Sequence, residues 1–353
     1  MDIIKFLVII LVLVSVHEFG HYIAAKIFNV YVTEFALGFG PKIFSHKGKE
    51  TEFTIRALPL GGFAAMVGED GIDEDNPVLK DIPFERTIKG VSHFKQFIIM
   101  FAGAFMNLLL AFILFCIIAA TQPTISTQPI IGSVETGSPA YVGGLRGGDK
   151  IISFEQNDHV TYVHSYSDIT IFTSTNEIGP YNVVIERDNQ QQTLHIEPQF
   201  NQEENRYISG FSPTILQPSL NPVDIIRNGF NMSVDSSRSI FTSLRMLLSG
   251  QAGVDDLSGP VGMVQITGQI SRGAGLLGLV NFAALLSINL AIFNLLPIPA
   301  LDGGRILIVL IEAITRKKLN PEWEARIIGV SFMLLIALII VVTFNDISRI
   351  FHR

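Results

Sequence analysis

The stretch FLVIILVLVSVHEFGHYIAAKIF at residues 6–28 decides the fold, because an apolar run long enough to span a membrane carries ionisable side chains in its second half. Those side chains are His17, Glu18 and His21. A charged group inside a spanning helix costs on the order of 2.5–3.5 kcal/mol on insertion scales, and such residues usually line a functional interior. We therefore expect residues 1–30 to form a first transmembrane helix that carries a functional site.

The same side chains form the pattern H-E-x-x-H at residues 17–21. Residues four apart on a helix are separated by about 40° around the axis and about 6 Å along it, so His17 and His21 project from one face and can bind one metal ion. Glu18 lies beside them and can act as a general base on water at that metal. The competing interpretation is a polar patch at a helix end that interfacial water satisfies, and the membrane setting favours the metal site.

The composition of the 353-residue chain also indicates a membrane protein. Only 16% of its residues are charged and 48% are hydrophobic, whereas soluble domains carry about 25% charge. The net charge of −7 leaves no basic excess to neutralise phosphates, so nucleic-acid binding is excluded, together with disorder and collagen-like structure. The single cysteine, Cys116, can form no internal disulfide and lies in an apolar run, where we interpret it as a packing residue.

Three further stretches contain no charged residue and approach the ~20 residues that a spanning helix needs. They are residues 96–120, 276–301 and 327–345. We predict a second transmembrane helix at 96–120, a third at 276–304 and a fourth at 327–345. The first helix is expected to be retained rather than removed as a signal peptide, because no small-residue cleavage pattern follows its apolar core.

Basic residues predict the orientation of these helices, since Lys and Arg are retained on the cytoplasmic side. Nine of them lie from Lys26 to Lys95 and five lie in the short stretch 305–326, whereas the longer region 121–275 has eight. We expect both termini and region 121–275 to be extracytoplasmic, and the two basic loops to be cytoplasmic.

Region 121–275 is typical of a compact domain followed by a helix. Glycine-rich turns separate short β-prone runs, which predict strands at 130–134, 150–154, 181–187 and 192–197 and a short helix at 165–175. Apolar residues at helical spacing follow Asn221-Pro222, and they predict an amphipathic linker helix within residues 221–250.

The cytoplasmic loop at residues 31–95 has a different pattern. Residues 52–57 alternate weakly as a strand, and the run LPLGGF at residues 58–63 is expected to break it. Apolar content beside a membrane favours a β-hairpin lying against the bilayer. An ordinary loop with a turn is the alternative.

Zinc needs a third protein ligand and an open position for water, and Asp302 is the candidate. It lies in NLLPIPALDGG, residues 294–304, whose prolines break the helix and whose glycines permit tight turns that direct a carboxylate back into the bundle. A plain interfacial turn is the alternative. The remaining histidines lack ligand spacing and are expected at the surface, at positions 46, 93, 159, 164, 195 and 352.

HEFGH and NLLPIPALDGG together resemble the site-2 protease family of intramembrane zinc metalloproteases, in its bacterial RseP/RasP-like branch. Residues 58–63 resemble the family's membrane-associated β-element, 259–262 the segment before the third span, and 138–151 a PDZ signature. The resemblance implies an α+β membrane protein. It would have a four-transmembrane-helix metalloprotease core, a cytoplasmic membrane-associated β-element and one extracytoplasmic PDZ domain at 128–199.

The resemblance implies that Zn2+ is bound by His17, His21 and Asp302, with Glu18 activating the water. The cofactor is therefore expected to be zinc, and the enzyme a metalloendopeptidase.

Four further residues acquire roles in substrate binding only through the resemblance. It implies that a substrate helix partly unwinds and adds as a strand near Gly61 and Gly62, which suits backbone recognition by edge pairing. It also implies that Asn289 and Asn294 help to accommodate the substrate in the third span. Interhelical hydrogen bonding that only supports packing is the alternative for both asparagines.

The resemblance further implies a protein of the bacterial inner or plasma membrane that cuts single-span membrane proteins already trimmed by another protease. Anti-sigma factors and signal-peptide remnants are the expected substrates. Two departures from the family pattern are Ala104, where members often have proline, and room for one PDZ domain where some relatives carry two. Whether the PDZ domain binds peptide or filters substrates by size stays open.

Two other classes of function explain parts of the sequence. A receptor or scaffold with a structural metal would need four ligands and no Glu18. A metal transporter would show inverted repeats and several ionisable sites along a path, which this sequence lacks. Three candidate ligands with an adjacent glutamate favour the enzyme.

Overall fold

A computed structural model describes residues 1–69, 82–174, 179–202, 206–250, 253 and 258–351. Two compact units divide the chain: residues 1–114 with 243–353, here the membrane unit, and residues 115–242, here called the outer unit after the location that the sequence predicts for them. Four of the described helices are long and apolar enough to cross a membrane: Asp2–Ile27, His93–Thr121, Gly275–Asn294 and Pro321–Arg349.

The helices of the chain are numbered in order. They are α1 (Asp2–Ile27), α2 (His93–Thr121), α3 (Pro139–Val142), α4 (Tyr166–Ser174), α5 (Pro222–Leu248), α6 (Pro260–Gly273), α7 (Gly275–Asn294), α8 (Asp302–Thr315) and α9 (Pro321–Phe351), with a 3-10 turn at Phe84–Arg86.

The strands are short except for the first two. They are β1 (Val32–Lys47), β2 (Glu52–Met66), β3 (Thr124–Ile125), β4 (Ile131–Val134), β5 (Lys150–Gln156), β6 (His159–Tyr162), β7 (Tyr181–Arg187), β8 (Gln190–Ile196), β9 (Gln199–Asn201), β10 (Arg206–Ile208), β11 (Phe211–Pro213) and β12 (Ile215–Leu216).

The membrane unit is organised around α1, which contacts β1, β2, α6 and α7. Its carboxyl end packs in an apolar cluster with the start of the hairpin and with α2 and α8. The buried members are Ala24, Ala25, Val30, Val32, Met66, Ile88, Val91, Ile99, Met100 and Ile306. This cluster brings together segments that are far apart in sequence, and it fixes α1 against α2 next to the two histidines.

The predicted hairpin is formed by β1 and β2, which pair antiparallel. Both strands bend. Leu37 of β1 therefore has two partners in β2, Ile55 on one side and Gly62 on the other. The expectation that residues 58–63 break the strand is wrong: β2 continues to Met66 because Gly61, at φ 145°, bends the chain without ending the ladder. Residues 70–81 of the 31–95 loop lie outside the described residues.

An ion pair connects the hairpin to the end of α1. The Glu50 carboxylate accepts hydrogen bonds from Lys26 Nζ and Arg86 Nη2, each at 2.8 Å. These two bonds lower the pKa of Glu50 below its ordinary value.

The third apolar stretch is interrupted where the two prolines of NLLPIPALDGG predict a break. Helix α7 ends at Asn294, and α8 begins at Asp302 after seven non-helical residues. A Cβ on Gly303 or Gly304 would collide with the carbonyl oxygens of Leu295 and Ile298. The glycines therefore let the start of α8 pack directly on this irregular backbone, and Asp302 occupies its first position.

The fourth apolar helix, α9, is largely exposed except near its end. There Asp346 is buried, and its carboxylate accepts the backbone N–H groups of Gly259 and Gly262 at 3.1 and 2.8 Å. These N–H groups belong to the start of α6, where a helix leaves amides unpaired and favours negative charge. Asp346 therefore anchors the amino end of α6 to α9.

The outer unit contains a four-stranded sheet in the order β6-β5-β7-β8. Its core packs Phe154 and Phe172 in a stack 4.1 Å apart, with Tyr181 edge-on to both. Burial raises the pKa of Tyr181 to about 12. The buried Asp149 carboxylate accepts two hydrogen bonds from Arg187, at 2.7 and 2.6 Å.

The unit extends past residue 199, where the predicted domain ends. Strand β11 pairs with β4, and β12 pairs with β3, so the returning chain supplies partners to the first strands. Helix α5 begins at Pro222 as predicted, and Gly229 lies against Cys116, whose half-buried thiol is 3.8 Å from the Ile225 carbonyl. Cys116 is thus in a packing position.

Candidate metal centre

Three potential ligand atoms from α1 and α8 meet in the membrane unit. His17 Nε2 lies 3.0 Å and His21 Nε2 lies 3.3 Å from Asp302 Oδ2, and the two imidazole nitrogens are 3.2 Å apart. The two histidines are only 6% and 5% exposed. Within the described part of the chain, this is the group of three such residues that could hold a metal ion.

The spacing of these atoms fits zinc. Zinc ligands lie about 2.0–2.2 Å from the ion, and the corners of a tetrahedron of that size are about 3.3–3.6 Å apart. Asp302 Oδ2 is buried and has no hydrogen-bond partner among the described residues, although it lies beside two imidazoles. A cation among the three atoms would compensate this buried oxygen, which explains why they converge here.

Helix α2 supplies the surroundings of both imidazoles. Nδ1 of His21 is 2.8 Å from the Ile99 carbonyl oxygen, and Nδ1 of His17 is 3.3 Å from the amide of Asn107. Between these positions, a Cβ on Gly103 would collide with both imidazole rings. The rings therefore fit against α2 only because Gly103 has no side chain.

Glu18 lies next to His17, His21 and Asp302, here called the triad, and it faces the hairpin. Its Oε2 accepts the backbone N–H of Ala64 at 3.2 Å. Glu18, His21 and Asp302 line a cavity of about 410 Å³ together with the β2 residues 63–66. A carboxylate, potential metal ligands and a strand edge thus share one cavity.

Of the residues predicted to bind substrate, Asn294 lies nearest to the triad. Its Nδ2 is 3.2 Å from Nε2 of His17. Asn289 is half-buried on α7 and is not among the described residues that line the cavity. Gly61 and Gly62 lie in β2, but the cavity is lined by the residues that follow them, 63–66.

The other histidines lie away from the triad. Those at positions 46, 93, 159, 164 and 195 are exposed, and position 352 lies outside the described residues.

Several residues of the site were not predicted. Ile99, Gly103 and Asn107 follow one another at four-residue intervals on α2, a spacing that could have indicated one helix face. Glu69 and Arg305 also line the cavity and form an ion pair. Arg305 lies three residues after Asp302, one helical turn along α8, so its position was accessible from the sequence.

Comparison with known proteins covers almost the whole chain. A family profile described as peptidase family M50 matches residues 5–338. A Clostridium acetobutylicum protein provisionally named a zinc metalloprotease is 34% identical over 95% of this chain and 94% of its own. The regulator of sigma-W protease RasP of Bacillus subtilis is 32% identical over 99% of both chains, and the zinc metalloprotease RasP of Geobacillus kaustophilus is 33% identical over 99% and 98%.

Proposed function

From the premise that this chain belongs to peptidase family M50, the site-2 proteases, we propose that it is an intramembrane endopeptidase that cuts the spanning segments of pre-trimmed membrane proteins. The resemblance seen in the sequence is confirmed by the family match. The protein is a metalloprotease whose expected cofactor is zinc, and its apolar helices indicate a multi-pass membrane protein. The intramembrane site, the residue roles and the substrates are the content of the proposal.

The observation that carries the proposal is the convergence of His17, His21 and Asp302 beside Glu18, on helices apolar enough to span a membrane. In this assignment the first three residues hold the zinc ion. When bound, zinc supplies Lewis-acid chemistry: it acidifies water and polarises a carbonyl group. A structural zinc site would be closed by four protein ligands, and the triad offers three.

Glu18 acts as the general base. It takes a proton from the water whose oxygen attacks the carbonyl carbon of the scissile peptide bond. It then gives the proton to the leaving nitrogen as the carbon–nitrogen bond breaks. The Ala64 N–H holds Oε2 of Glu18 at 3.2 Å, which supports one fixed position of the carboxylate during both transfers.

The substrate backbone binds along β2. Residues 62–65 pair with β1 through one side, and the Ala64 N–H on the other side is directed to Glu18 at the cavity. An unwound substrate segment that adds along this edge would pair its backbone groups with the main-chain groups other than the Ala64 N–H, which stays with Glu18. Those substrate groups would otherwise be costly to bury. Gly61 and Gly62 begin this edge, and Asn289 and Asn294 contribute amides from α7.

We place the protein in the bacterial inner or plasma membrane, with both termini and the domain at 128–199 extracytoplasmic. That domain is assigned as a PDZ domain that selects or filters substrates. Because a relative is named as a regulator of sigma-W protease, anti-sigma factors are the first substrate class to test. Signal-peptide remnants are the second.

The test is cleavage of a single-span model substrate by the purified chain in lipid vesicles. Glu18→Gln should reduce the rate by about 10²–10⁴-fold while zinc stays bound, because the ligands are unchanged. Glu50→Gln is the matched control, since it removes a carboxylate from the hairpin outside the cavity, and it should cleave at the wild-type rate. Equal cleavage by Glu18→Gln and wild type would refute the mechanism. Zinc binding without any cleavage would favour a receptor or scaffold.

A further inference from the structure

Asn107 is a buried polar residue to which the proposed mechanism gives no role. It is fully buried on α2, and its Nδ2 lies 3.3 Å from Nδ1 of His17. Its Oδ1 has no hydrogen-bond partner among the described residues. Buried amides are normally paired, so both the location and the unpaired oxygen of Asn107 need an explanation.

The hydrogen-bond chemistry of His17 gives that explanation. Its Nε2 faces Asp302 and His21, so in a zinc ligand Nε2 must be free of a proton. The neutral ring then carries its proton on Nδ1, which becomes a donor. A donor facing the Asn107 NH2 group would be repelled. Since the oxygen and nitrogen of an amide are assigned from the hydrogen-bond network, the opposite orientation of the amide places Oδ1 at His17.

The second histidine shows the same arrangement with a backbone group. Nδ1 of His21 is 2.8 Å from the Ile99 carbonyl oxygen, which can only accept. Ile99 and Asn107 lie eight residues apart on α2, with Gly103 halfway between them against both rings. One face of α2 would therefore supply an acceptor to each imidazole. Metal-binding histidines almost always donate their second N–H to such an acceptor.

A further hydrogen bond fixes the main chain of Asn107. The Ser287 hydroxyl on α7 donates to its main-chain carbonyl at 2.8 Å, and both residues are fully buried. The backbone that carries the amide is thus fixed between α1 and α7, as a residue that orients a ligand requires.

We propose that Asn107 is a positioning residue whose amide oxygen accepts the Nδ1 proton of His17 and so directs Nε2 to the metal. This inference rests on the zinc ligands of the proposed function. It assigns Asn107 no contact with substrate. Its effect is on how tightly zinc is held.

The test compares Asn107→Leu and Asn107→Asp in the full-length chain in detergent. Zinc affinity is measured by competition with a chelator of known affinity, and thermal unfolding is measured in excess chelator. Leucine has similar size but no acceptor, so zinc affinity should fall about 10–100-fold. Aspartate keeps an acceptor and should bind zinc within a few-fold of wild type. Thr267→Val, which removes a buried side-chain hydrogen bond to the Met263 carbonyl on α6 but contacts neither Asn107 nor His17, should also stay within a few-fold.

Two results would overturn the proposal. If Asn107→Asp loses as much affinity as Asn107→Leu, the amide acts as a donor or only as packing. If Asn107→Leu binds zinc as tightly as wild type does, Asn107 does not orient His17. If the leucine variant fails to fold, Asn107→Ala also removes the acceptor and tests the same prediction. The proposed function is scored separately, by zinc content of the wild type and cleavage by Glu18→Gln, so its failure is distinguishable.

Discussion

Two carboxylates of the membrane unit, the buried Asp346 and the partly buried Asp302, have opposite surroundings. Both oxygens of Asp346 accept backbone N–H groups, at 3.1 and 2.8 Å. Oδ2 of Asp302 lies beside two imidazole nitrogens and has no hydrogen-bond partner among the described residues. The first carboxylate is satisfied by the fold, whereas the second is satisfied only if protons or a cation enter the site.

The two carboxylates therefore differ in what they stabilise: one the fold, the other a bound ion. A carboxylate paired with helix N–H groups stabilises the folded chain, because its removal leaves buried donors unpaired. A carboxylate held against other potential ligands stabilises little until an ion arrives, and it gives the site its affinity for that ion. Substitutions at both kinds of position test whether the distinction holds.

The largest effect is expected for Asp302→Ala. Zinc affinity should fall more than about 100-fold, since even loss of a residue that supports a ligand costs 10–100-fold, and cleavage should be lost with it. In excess chelator, thermal unfolding should stay near the wild-type temperature or rise slightly. Metal analysis after dialysis and unfolding in chelator check both parts. Full retention of zinc would remove Asp302 from the ligand set.

A third carboxylate, the buried Asp149 in the outer unit, extends the comparison to an ion pair. Its partner Arg187 donates two hydrogen bonds, so Arg187→Met should leave a buried charge and destabilise the outer unit by about 3–5 kcal/mol. Hydrogen exchange at β5 and β7 measures the loss, and zinc content should not change. Arg187→Lys is the control and should lose less. Unchanged exchange in the methionine variant would contradict the prediction.

Asp346→Ala should have an effect of the opposite kind to Asp302→Ala. The amino end of α6 would lose its acceptor, and unfolding in chelator should be easier by about 1–3 kcal/mol. Folded chains should bind zinc with wild-type affinity. A variant that lost zinc without losing stability would break the distinction between the two carboxylates.

The smallest effect is expected at Glu50, whose side chain is 35% exposed. Glu50→Gln should cost less than about 1 kcal/mol, because solvent screens the pairs with Lys26 and Arg86. The pKa of this carboxyl is lowered in the folded chain, so its contribution is present above the unfolded pKa of about 4.3 and is lost as the pH falls. The difference in unfolding temperature between variant and wild type should close below about pH 4. A difference in unfolding temperature that grew as the pH fell would contradict this prediction.

The features that could be predicted from the sequence are local ones. Charge within an apolar run marks α1, helical spacing puts His17 and His21 on one face, and prolines before Asp302 mark the end of α7. The amphipathic period predicts a helix within residues 221–250, and α5 extends from Pro222 to Leu248. Each of these signals is contained within about thirty consecutive residues.

Features that depend on distant partners were missed for a physical reason. The acceptor for His21 is the main-chain oxygen of Ile99, and every residue has such an oxygen. The partners of β4 lie about eighty residues further on, in β11, so the end of the outer unit could not be found from local turns. The continuation of β2 through Gly61 depends likewise on its pairing with β1.

The face of α2 that bears Gly103 has a consequence for biosynthesis. A shift of α2 by one turn, about 5.4 Å, would place Ile99 or Asn107 where only Gly103 leaves room for the two imidazoles. Helix α1 leaves the ribosome before α2, and Asp302 follows much later. We therefore expect the complete set of three ligands to form only after the second and third apolar stretches have been inserted.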